Sequence, residues 1–263
     1  MKPNLGVPQG SPLPASYPQA VNALSSWQRA LLSGAAELGL SISAAQLAAY
    51  TQHLDLLLSH KVRAGLTAIT EPEAIAIKHF LDSLTCLLVR DIGPGERVAD
   101  IGSGGGFPGL VLAIARPAAS YVLMESVRKR AAFLELAAQE LPVRDATVLT
   151  SRAEQAGQDP AHRESYDLVL SRAVASLPVL LEYCLPLVRV GGQTIAYKGP
   201  DAEEEIGRSQ SALTALGGRL GATHRLSLPL QMGDRVLVVV EKAAPTPPSY
   251  PRRPDLPAKR PLT

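Results

Sequence analysis

The sequence predicts an α/β protein with a seven-stranded, mostly parallel sheet, an antiparallel strand at one edge, and an N-terminal helical extension. Two observations predict this class. From residue 93 onward, short apolar runs alternate with helical patterns, which is typical of a parallel sheet covered on both faces. Before that point, three segments repeat apolar residues every three or four positions, as amphipathic helices do.

The composition fits one globular domain with an appendage. The 263 residues are 46% hydrophobic and 19% charged, enough to bury a sizeable core. No apolar run approaches the ~18 residues that span a bilayer, and the start of the chain lacks a secretion-signal pattern, so we expect a cytoplasmic protein that does not enter membranes. Cys86 and Cys184 lie in apolar contexts without His or Cys at ligand spacing. This predicts reduced core thiols and no metal site.

We divide the chain into four regions on these patterns. They are a disordered segment rich in Pro, Gly and Ser over 1–18, a helical region packed on the rest over 19–92, an α/β domain over 93–243, and a basic, Pro-rich tail over 244–263. The helical region is predicted to hold three helices, over 20–38, 43–60 and 72–88.

The α/β domain over 93–243 is predicted to contain seven strands, which makes it the ligand-binding part of the chain. They lie over 97–101, 121–125, 146–150, 168–171, 193–198, 235–241 and, weakly, 224–228. Helices are predicted between them, over 108–115, 128–141, 177–188 and 202–216. The last two strands are joined without a long helix, so they should pair antiparallel. This combination is expected of class I, Rossmann-like methyltransferases, whereas an all-parallel sheet would fit a dinucleotide dehydrogenase better.

A glycine-rich turn follows the first predicted strand. Residues 100–107 read DIGSGGGF, and Pro108 opens the next helix. Glycines suit a tight turn in which a ligand lies against bare backbone, and the helix N-terminus suits a carboxylate such as that of a methionine moiety. We expect Gly102, Gly104 and Gly106 to form this cofactor-binding turn.

Two acidic residues decide what the turn binds. Glu125, at the end of the second strand, is placed to accept the ribose hydroxyls of a nucleoside in either of two families, because residues 104–109 also fit the dinucleotide fingerprint. Asp100 precedes the first glycine, where a carboxylate would repel a pyrophosphate and could hold an ammonium. The pair therefore favours S-adenosylmethionine, and leaves a dinucleotide-binding oxidoreductase as an alternative.

Polar residues also follow the next three strands. Ala153 and Glu154 are placed to line an adenine, because ligands on open α/β sheets lie beyond the carboxyl ends of the strands. Arg172 could contact the methionine carboxylate or the methyl acceptor, and Lys198 could contact a phosphate or a carbonyl of the acceptor. Both are predicted to position the acceptor rather than to act as a base.

The segment after the fourth strand excludes some chemistries. It reads SRAV, not the Asn- or Asp-Pro-Pro-aromatic segment common in methylation of exocyclic amines, and neither cysteine suits a nucleophile for pyrimidine carbons. A ring nitrogen with a lone pair, such as guanine N7, needs neither base nor nucleophile from the protein. Positioning and electrostatics would suffice.

Several blocks, taken in order, resemble the bacterial small-subunit ribosomal RNA guanine-N7 methyltransferase family, also known as RsmG or glucose-inhibited division protein B. The resemblance runs from about residue 50 to the C-terminus. Its blocks read LTAI at 66–69, HFLDSL at 79–84, DIGSGGGFPG at 100–109, ES at 125–126, RAE at 152–154, SRAV at 171–174, KG at 198–199 and YPRR at 250–253. Gly65 and Asp255 depart from the pattern, since Asn and Gly are common there.

The resemblance implies an enzyme that methylates N7 of a single guanine of 16S ribosomal RNA, the 530-loop guanine at position 527 in standard RNA numbering. It implies S-adenosylmethionine as cofactor. Carried over by position, the cofactor contacts are Gly102, Phe107, Glu125, Ala153, Glu154 and Arg172. A non-catalytic, RNA-binding assembly factor with the same fold stays open as an alternative.

The partner is expected to be 16S ribosomal RNA or the small ribosomal subunit, bound by a monomer. The formal charge is only +2, from 26 basic and 24 acidic residues, so affinity for RNA must come from local patches. Candidate RNA-binding residues are Arg128, Lys129, Arg130, Lys198, Arg252, Arg253, Lys259 and Arg260. Phe107, Tyr197 or Tyr250 could stack on a base. His79 and Asp82, three apart on one helical face, are left as either structural or functional.

Overall fold

A computed structural model describes residues 24–263 of the chain. The predicted disordered segment 1–18 and the start of the first predicted helix lie outside the described residues. Helix α1 (Ser26–Glu37) and helix α2 (Ala44–Ala64) each begin with a capping box, in which Ser25 and Ser43 accept from the backbone of Gln28 and Gln46. Helix α2 ends at Gly65, whose φ of 64° suits a residue without Cβ.

The third predicted helix, over 72–88, is not one regular helix. It consists of α3 (Pro72–Ile75), a π-helical segment (Ala76–Leu81), α4 (Asp82–Leu84) and α5 (Cys86–Val89). Apolar periodicity does not distinguish these forms, because a π turn adds only one residue to each hydrogen-bonded ring. Single π turns are frequent at functional sites. Here the segment contains His79 and ends beside Asp82.

The sheet has seven strands, as predicted. They are β1 (Arg97–Ile101), β2 (Ser120–Met124), β3 (Ala146–Leu149), β4 (Tyr166–Arg172), β5 (Val188–Lys198), β6 (Gly218–Ser227) and β7 (Asp234–Lys242). Their order is β3-β2-β1-β4-β5-β7-β6. The first five strands pair in parallel, and β7 pairs antiparallel with both β5 and β6. This confirms the class I, Rossmann-like methyltransferase fold.

Helices cover both faces of the sheet. They are α6 (Gly109–Ala115), α7 (Arg128–Glu140), α8 (Ala153–Ala156), α9 (Leu177–Cys184), α10 (Ala202–Gly207), α11 (Gln210–Leu216) and α12 (Leu256–Lys259). Leu168 and Leu170 of β4 belong to the apolar core that also contains α1, α2 and the π-helical segment, while Val169 belongs to the core beneath α9 and α11. Strand side chains alternate between faces, so one strand serves both cores.

Several boundaries differ from the sequence prediction, and β6 begins at Gly218, six residues before the predicted strand. Helix α9 ends at Cys184, earlier than expected, because Pro186 lacks the backbone N–H that would continue the helical hydrogen bonds. Strand β5 therefore begins at Val188. The predicted helix over 202–216 is divided in two at Arg208 and Ser209. None of the helices within 24–263 has the length and apolar character needed to cross a membrane.

Candidate active site

The glycine-rich turn lies where the chain order of the strands reverses, between β1 and β4, which is where open α/β sheets bind ligands. Gly102, Gly104 and Gly106 have φ values of 73°, 54° and 88°, a conformation that other residues adopt at a cost. A Cβ on Gly102 would lie 2.6 Å from the side chain of Val174. The turn thus requires glycine for its backbone and for the close approach of the loop after β4.

Asp100 is buried at the end of β1, with 1% of its surface exposed. One carboxylate oxygen, Oδ2, accepts a hydrogen bond of 2.9 Å from the backbone of Gly109. The other, Oδ1, is buried without a hydrogen-bond partner among the described residues. Burial raises the pKa of this carboxyl to about 6. A cationic group of a ligand would supply the missing partner.

Glu125 follows β2 and faces the same turn. Its Oε2 accepts from the backbone of Gly104 at 3.1 Å, and its Oε1 accepts from the backbone of Val127 at 2.8 Å. These two bonds fix the orientation of a carboxylate that is 4% exposed. Each oxygen retains a second lone pair, so the group can also accept ribose hydroxyls.

A cleft of about 250 Å³ opens beside the turn. We call it the tail cleft, because the C-terminal tail closes one side of it. The residues that line it include Gly102, Met124, Ala153, Glu154, Val174, Tyr183 and Ala258. The backbone N–H of Asp255 donates to Glu154 Oε1 at 3.1 Å, and the Asp255 side chain pairs with Arg152 at 2.6 Å.

A second cleft, of about 400 Å³, lies on the other side of the loop formed by Ala173, Val174 and Ala175. We call it the polar cleft, since its lining includes Lys78, His79, Asp82, Arg172, Lys198, Asp201, Glu205 and Arg235. Asp82 is 1% exposed and pairs with Arg172 at 3.0 Å and with Arg235 at 2.9 Å.

Lys198 is also held in place. Its Nζ lies 2.7 Å from Glu205 Oε2 and donates to the carbonyl oxygen of Ala175 at 2.9 Å. Helix α10 supplies Glu205, and strand β5 ends at Lys198. Three of the four Lys and Arg side chains that line the polar cleft, those of Arg172, Lys198 and Arg235, are therefore oriented by carboxylates within the fold.

Phe107 connects the turn to the N-terminal helices. His53 and His79 stack on its ring, with centroids 5.0 Å and 4.8 Å away, and the Arg172 guanidinium lies 5.4 Å from the ring centroid. Burial lowers the pKa of His53 to about 4. Burial, and then the charge of Arg172, lower the pKa of His79 to about 3. Both imidazoles are neutral near pH 7.

Comparison with known proteins decides the family. The family model described as "GidB: rRNA small subunit methyltransferase G" matches residues 45–231. The chain belongs to this family. The ribosomal RNA small subunit methyltransferase G of Symbiobacterium thermophilum is 47% identical over 234 residues, which is 87% of this chain and 95% of that protein. The protein of the same name from a Roseiflexus species is 47% identical, over 88% of this chain and 98% of its own.

Solved structures show the same fold at low identity. The YcgJ protein from Bacillus subtilis matches with a TM-score of 0.50 and 12% identity, over 63% of this chain and 100% of that chain. The match to the methyltransferase G family confirms that the protein is a methyltransferase, with S-adenosylmethionine as its cofactor. It also removes the oxidoreductase alternative. The buried, unpartnered Asp100 Oδ1 fits the ammonium of this cofactor.

The site residues predicted from the sequence lie in three places in the structure. The tail cleft is lined by Gly102, Ala153 and Glu154, and the polar cleft by Arg172 and Lys198. The turn and its surroundings hold Asp100, Gly104, Gly106, Phe107 and Glu125. His79 and Asp82, which the sequence left open, line the polar cleft and both contact Arg172.

Some predicted basic residues are engaged inside the protein. Arg252 donates to both carboxylate oxygens of the buried Glu182, and its Nη2 also donates to the carbonyl of Arg260. The position of Arg252 in the YPRR block is thus explained by anchoring of the tail.

Tyr197 is 4% exposed and its hydroxyl donates to the carbonyl of Ser83. Its ring is therefore not available for stacking on a base, contrary to expectation.

Other basic residues remain at the surface. The exposed ones are Arg128, Lys129, Arg253, Lys259 and Arg260, whereas Arg130 is half-buried.

The two departures from the family pattern, Gly65 and Asp255, both fall on left-handed backbone. Gly65 and Asp255 have φ values of 64° and 68°, which Asn and Gly also adopt readily. The substitutions therefore preserve the turns.

Sequence reasoning missed Arg235, Glu205 and the tail residues of the tail cleft. Arg235 lies on β7 and reaches the site only because β7 is inserted next to β5. Glu205 lies in a helix with three consecutive acids, a pattern that resembles a solvated surface.

Among residues 24–263 no group of His, Cys, Asp and Glu side chains could hold a metal.

Proposed function

We propose that this protein transfers the methyl group of S-adenosylmethionine to N7 of one guanine of 16S ribosomal RNA, the 530-loop guanine at position 527. The observation that carries the proposal is the junction of the two clefts. The tail cleft and the polar cleft share the loop 173–175 beside the glycine-rich turn. A nucleoside in one cleft and a base in the other would approach each other at this loop.

The tail cleft would hold the nucleoside end of the cofactor. Glu125 would accept the ribose hydroxyls, Ala153 and Glu154 would line the adenine, and Asp100 would bind the ammonium. When bound, S-adenosylmethionine supplies a methyl group on a sulfonium. The residues of the turn, Gly102 above all, keep the backbone close enough for that end of the molecule to lie against it.

The polar cleft would hold the guanine. Arg172 and Lys198 would donate to acceptor atoms of the base or its phosphate. In the transfer, the N7 lone pair forms the new bond to the methyl carbon, the carbon–sulfur bond breaks, and its electron pair stays on sulfur. No proton is removed, so the reaction needs no general base, and His79, whose pKa is lowered to about 3, is a weak one.

The charge balance of the polar cleft also suits the reaction. Methylation at N7 makes the purine ring positive, and unpaired cations around it would raise the barrier. Here Asp82 lies between Arg172 and Arg235, and Glu205 pairs with Lys198. The donors are therefore presented with most of their charge neutralised.

We further propose that the protein acts as a monomer in the cytoplasm, where ribosomal RNA is assembled, since both clefts are formed by one chain. The exposed residues Arg128, Lys129, Arg253, Lys259 and Arg260 would contact RNA phosphates, with Arg130 beside them and Lys198 at the base itself. Sedimentation of the protein alone and with RNA would test the oligomeric state.

The direct test uses small subunits and protein-free 16S RNA from a strain that lacks this enzyme. With labelled S-adenosylmethionine, we expect one methyl group per RNA, mapped by mass spectrometry to N7 of guanine 527. Another modified nucleotide, or none, would overturn the proposal. Binding of the RNA without turnover, and full biological effect from an Arg172→Ala variant, would instead support an assembly factor.

A further inference from the structure

A groove outside both clefts lies between the end of α2 and the start of α7. It has a volume of about 300 Å³ and is lined by His60, Arg63, Ala64, Lys129, Ala132, Phe133 and Leu136. No carboxylate belongs to this lining. We call it the α2–α7 groove. Its floor is apolar, since Ala64 and Phe133 are buried, and its rim is basic, since Arg63 and Lys129 are exposed.

Within residues 24–263, the cations at this groove have no carboxylate partners. Twelve ion pairs occur within residues 24–263, and none includes Lys61, Arg63, Arg128, Lys129 or Arg130. The Nε of Arg130 is buried without a hydrogen bond among the same residues. By contrast, three of the four Lys and Arg residues that line the polar cleft, Arg172, Lys198 and Arg235, are paired.

The position of these charges opposes helix stability. Arg128, Lys129 and Arg130 occupy the first turn of α7, which contains no acidic residue and has no side-chain cap. Cations repel the positive end of a helix, and like charges in one turn repel each other. Residues that act against local stability are expected where an external ligand compensates. Here that ligand must be an anion.

The groove adjoins the active site through both of its helices. Helix α7 begins three residues after Glu125, and a Cβ on Gly65 at the end of α2 would lie 3.6 Å from Lys129 Nζ. Two residues beyond Gly65, the Thr67 hydroxyl lies 2.7 Å from His79 Nε2 in the polar cleft. A polyanion with one nucleotide in the polar cleft would therefore extend its chain toward this groove.

We propose that the α2–α7 groove binds the sugar-phosphate backbone of the RNA substrate near the target guanine, with Arg63 and Lys129 on successive phosphates. This rests on the proposed function for the identity of the RNA. His60 donates from Nδ1 to the carbonyl of Leu56 at 2.9 Å, which leaves Nε2 for a ribose hydroxyl. RNA fits better than an acidic peptide because the cations belong to two helix ends, the last turn of α2 and the first turn of α7, and RNA phosphates recur along an extended chain.

The test compares charge reversals at the groove with a matched reversal elsewhere. The variants are Arg63→Glu and Lys129→Glu, and the control is Arg144→Glu, an exposed residue between the C-terminal end of α7 and the start of β3. Binding is measured on protein-free 16S RNA and on small subunits over a range of salt. Calorimetry with S-adenosylmethionine alone checks that the cofactor site is intact.

We expect each groove variant to bind RNA about tenfold more weakly than the wild type. The slope of log K against log salt should fall by about one for each lost phosphate contact. Arg144→Glu should stay within about twofold of the wild type, and cofactor affinity should not change in any variant. Both RNA substrates should show the loss.

Equal binding by the groove variants and Arg144→Glu would overturn the proposal, as would weaker cofactor binding in the groove variants. A loss seen with small subunits but not with protein-free RNA would mean that a ribosomal protein occupies the groove, and would overturn it as well. If the wild type bound RNA through this groove yet methylated neither substrate, the proposed RNA-binding role of the groove would hold and the proposed methylation activity would be wrong.

Discussion

The polar cleft and the tail cleft lie on two sides of one loop but are built on different principles. In the polar cleft, Asp82 is 1% exposed and fixes two guanidinium groups, Arg172 and Arg235. In the tail cleft, Glu154 is fixed by a backbone N–H of the tail, and the only side-chain pair there among residues 24–263, between Arg152 and Asp255, is about half exposed.

The difference shows what holds the residues of each cleft in position. A buried charge left without its partner is strongly destabilising, so the polar cleft has one arrangement that the whole fold enforces. An exposed ion pair contributes little, so the tail cleft depends on the path of the backbone. We therefore expect substitutions of side chains to affect the polar cleft most, and changes of the main chain to affect the tail cleft most.

The largest effect should come from Asp82→Asn. The change leaves two arginines around a neutral amide, so the free energy of unfolding should fall by about 3–5 kcal/mol. Displacement of Arg172 should lower the methylation rate by about 100-fold or more. Urea unfolding and single-turnover methylation would measure the two effects.

The control for this variant is Asp91→Asn. Asp91 pairs with Arg116 at 2.7 Å, as closely as Asp82 pairs with its partners, but its side chain is 71% exposed. It should change the free energy of unfolding by less than about 1 kcal/mol. Similar losses in both variants would contradict the contrast between buried and exposed pairs.

The next effect is a pH dependence of cofactor binding through Asp100, whose pKa is raised by burial from 3.8 to about 6. Because the folded-state pKa is the higher one, this group stabilises the free protein below about pH 4, and the contribution is lost as the pH rises through 6. An ammonium needs the ionised carboxylate. Affinity for S-adenosylmethionine should therefore rise about tenfold per pH unit up to pH 6.

Calorimetry between pH 5 and pH 8 would measure this dependence. In Asp100→Asn the rise should disappear, and the free protein should lose less stability between pH 4 and pH 7 than the wild type. A pH profile shared by the wild type and Asp100→Asn would assign the titration to another group.

A smaller effect is expected at Asp255, where the backbone can be changed separately from the side chain. Pro at this position lacks the N–H that Glu154 accepts and cannot adopt a φ of 68°. Asp255→Pro should therefore raise the KM for S-adenosylmethionine about tenfold. Asp255→Gly keeps the N–H and the left-handed backbone, and should change KM at most about fivefold. A larger increase in KM for Asp255→Gly than for Asp255→Pro would show that the side chain, not the backbone, closes the cleft.

The smallest effect concerns the pair of Arg152 and Asp255. Combining Arg152→Ala with Asp255→Gly gives a double-mutant cycle, in which the coupling energy for cofactor binding should be below about 1 kcal/mol. A coupling of 2 kcal/mol or more would make the tail cleft resemble the polar cleft, and would remove the distinction between them.

The elements of the parallel sheet could be predicted from the sequence because each strand is a short apolar run with its own turn signals. The run Val98 to Ile101 and the glycines after it are local features, and β1 begins and ends as expected. The antiparallel pairing of the last two strands also followed from their short connection. Glu125 and Glu154 were found because they follow strands.

The rest of the site depends on contacts between distant residues. Arg235 lies 153 residues from Asp82 in the chain, and the N–H of Asp255 lies 101 residues from the carboxylate that it binds. Neither partner lies in a pattern that marks its role. Arg252 illustrates the same limit. The basic tail suggested that Arg252 contacts solvent or RNA, but its partner is the buried Glu182.

The π-helical segment has a consequence for insertions and deletions. A π turn closes with one residue more than an α turn, so loss of one residue within 76–81 would restore an ordinary helix. Successive residues of a helix are about 100° apart, so Asp82 would turn away from Arg172 and Arg235 by roughly that angle. The spacing of this segment, and not only its composition, is therefore a requirement for the active site.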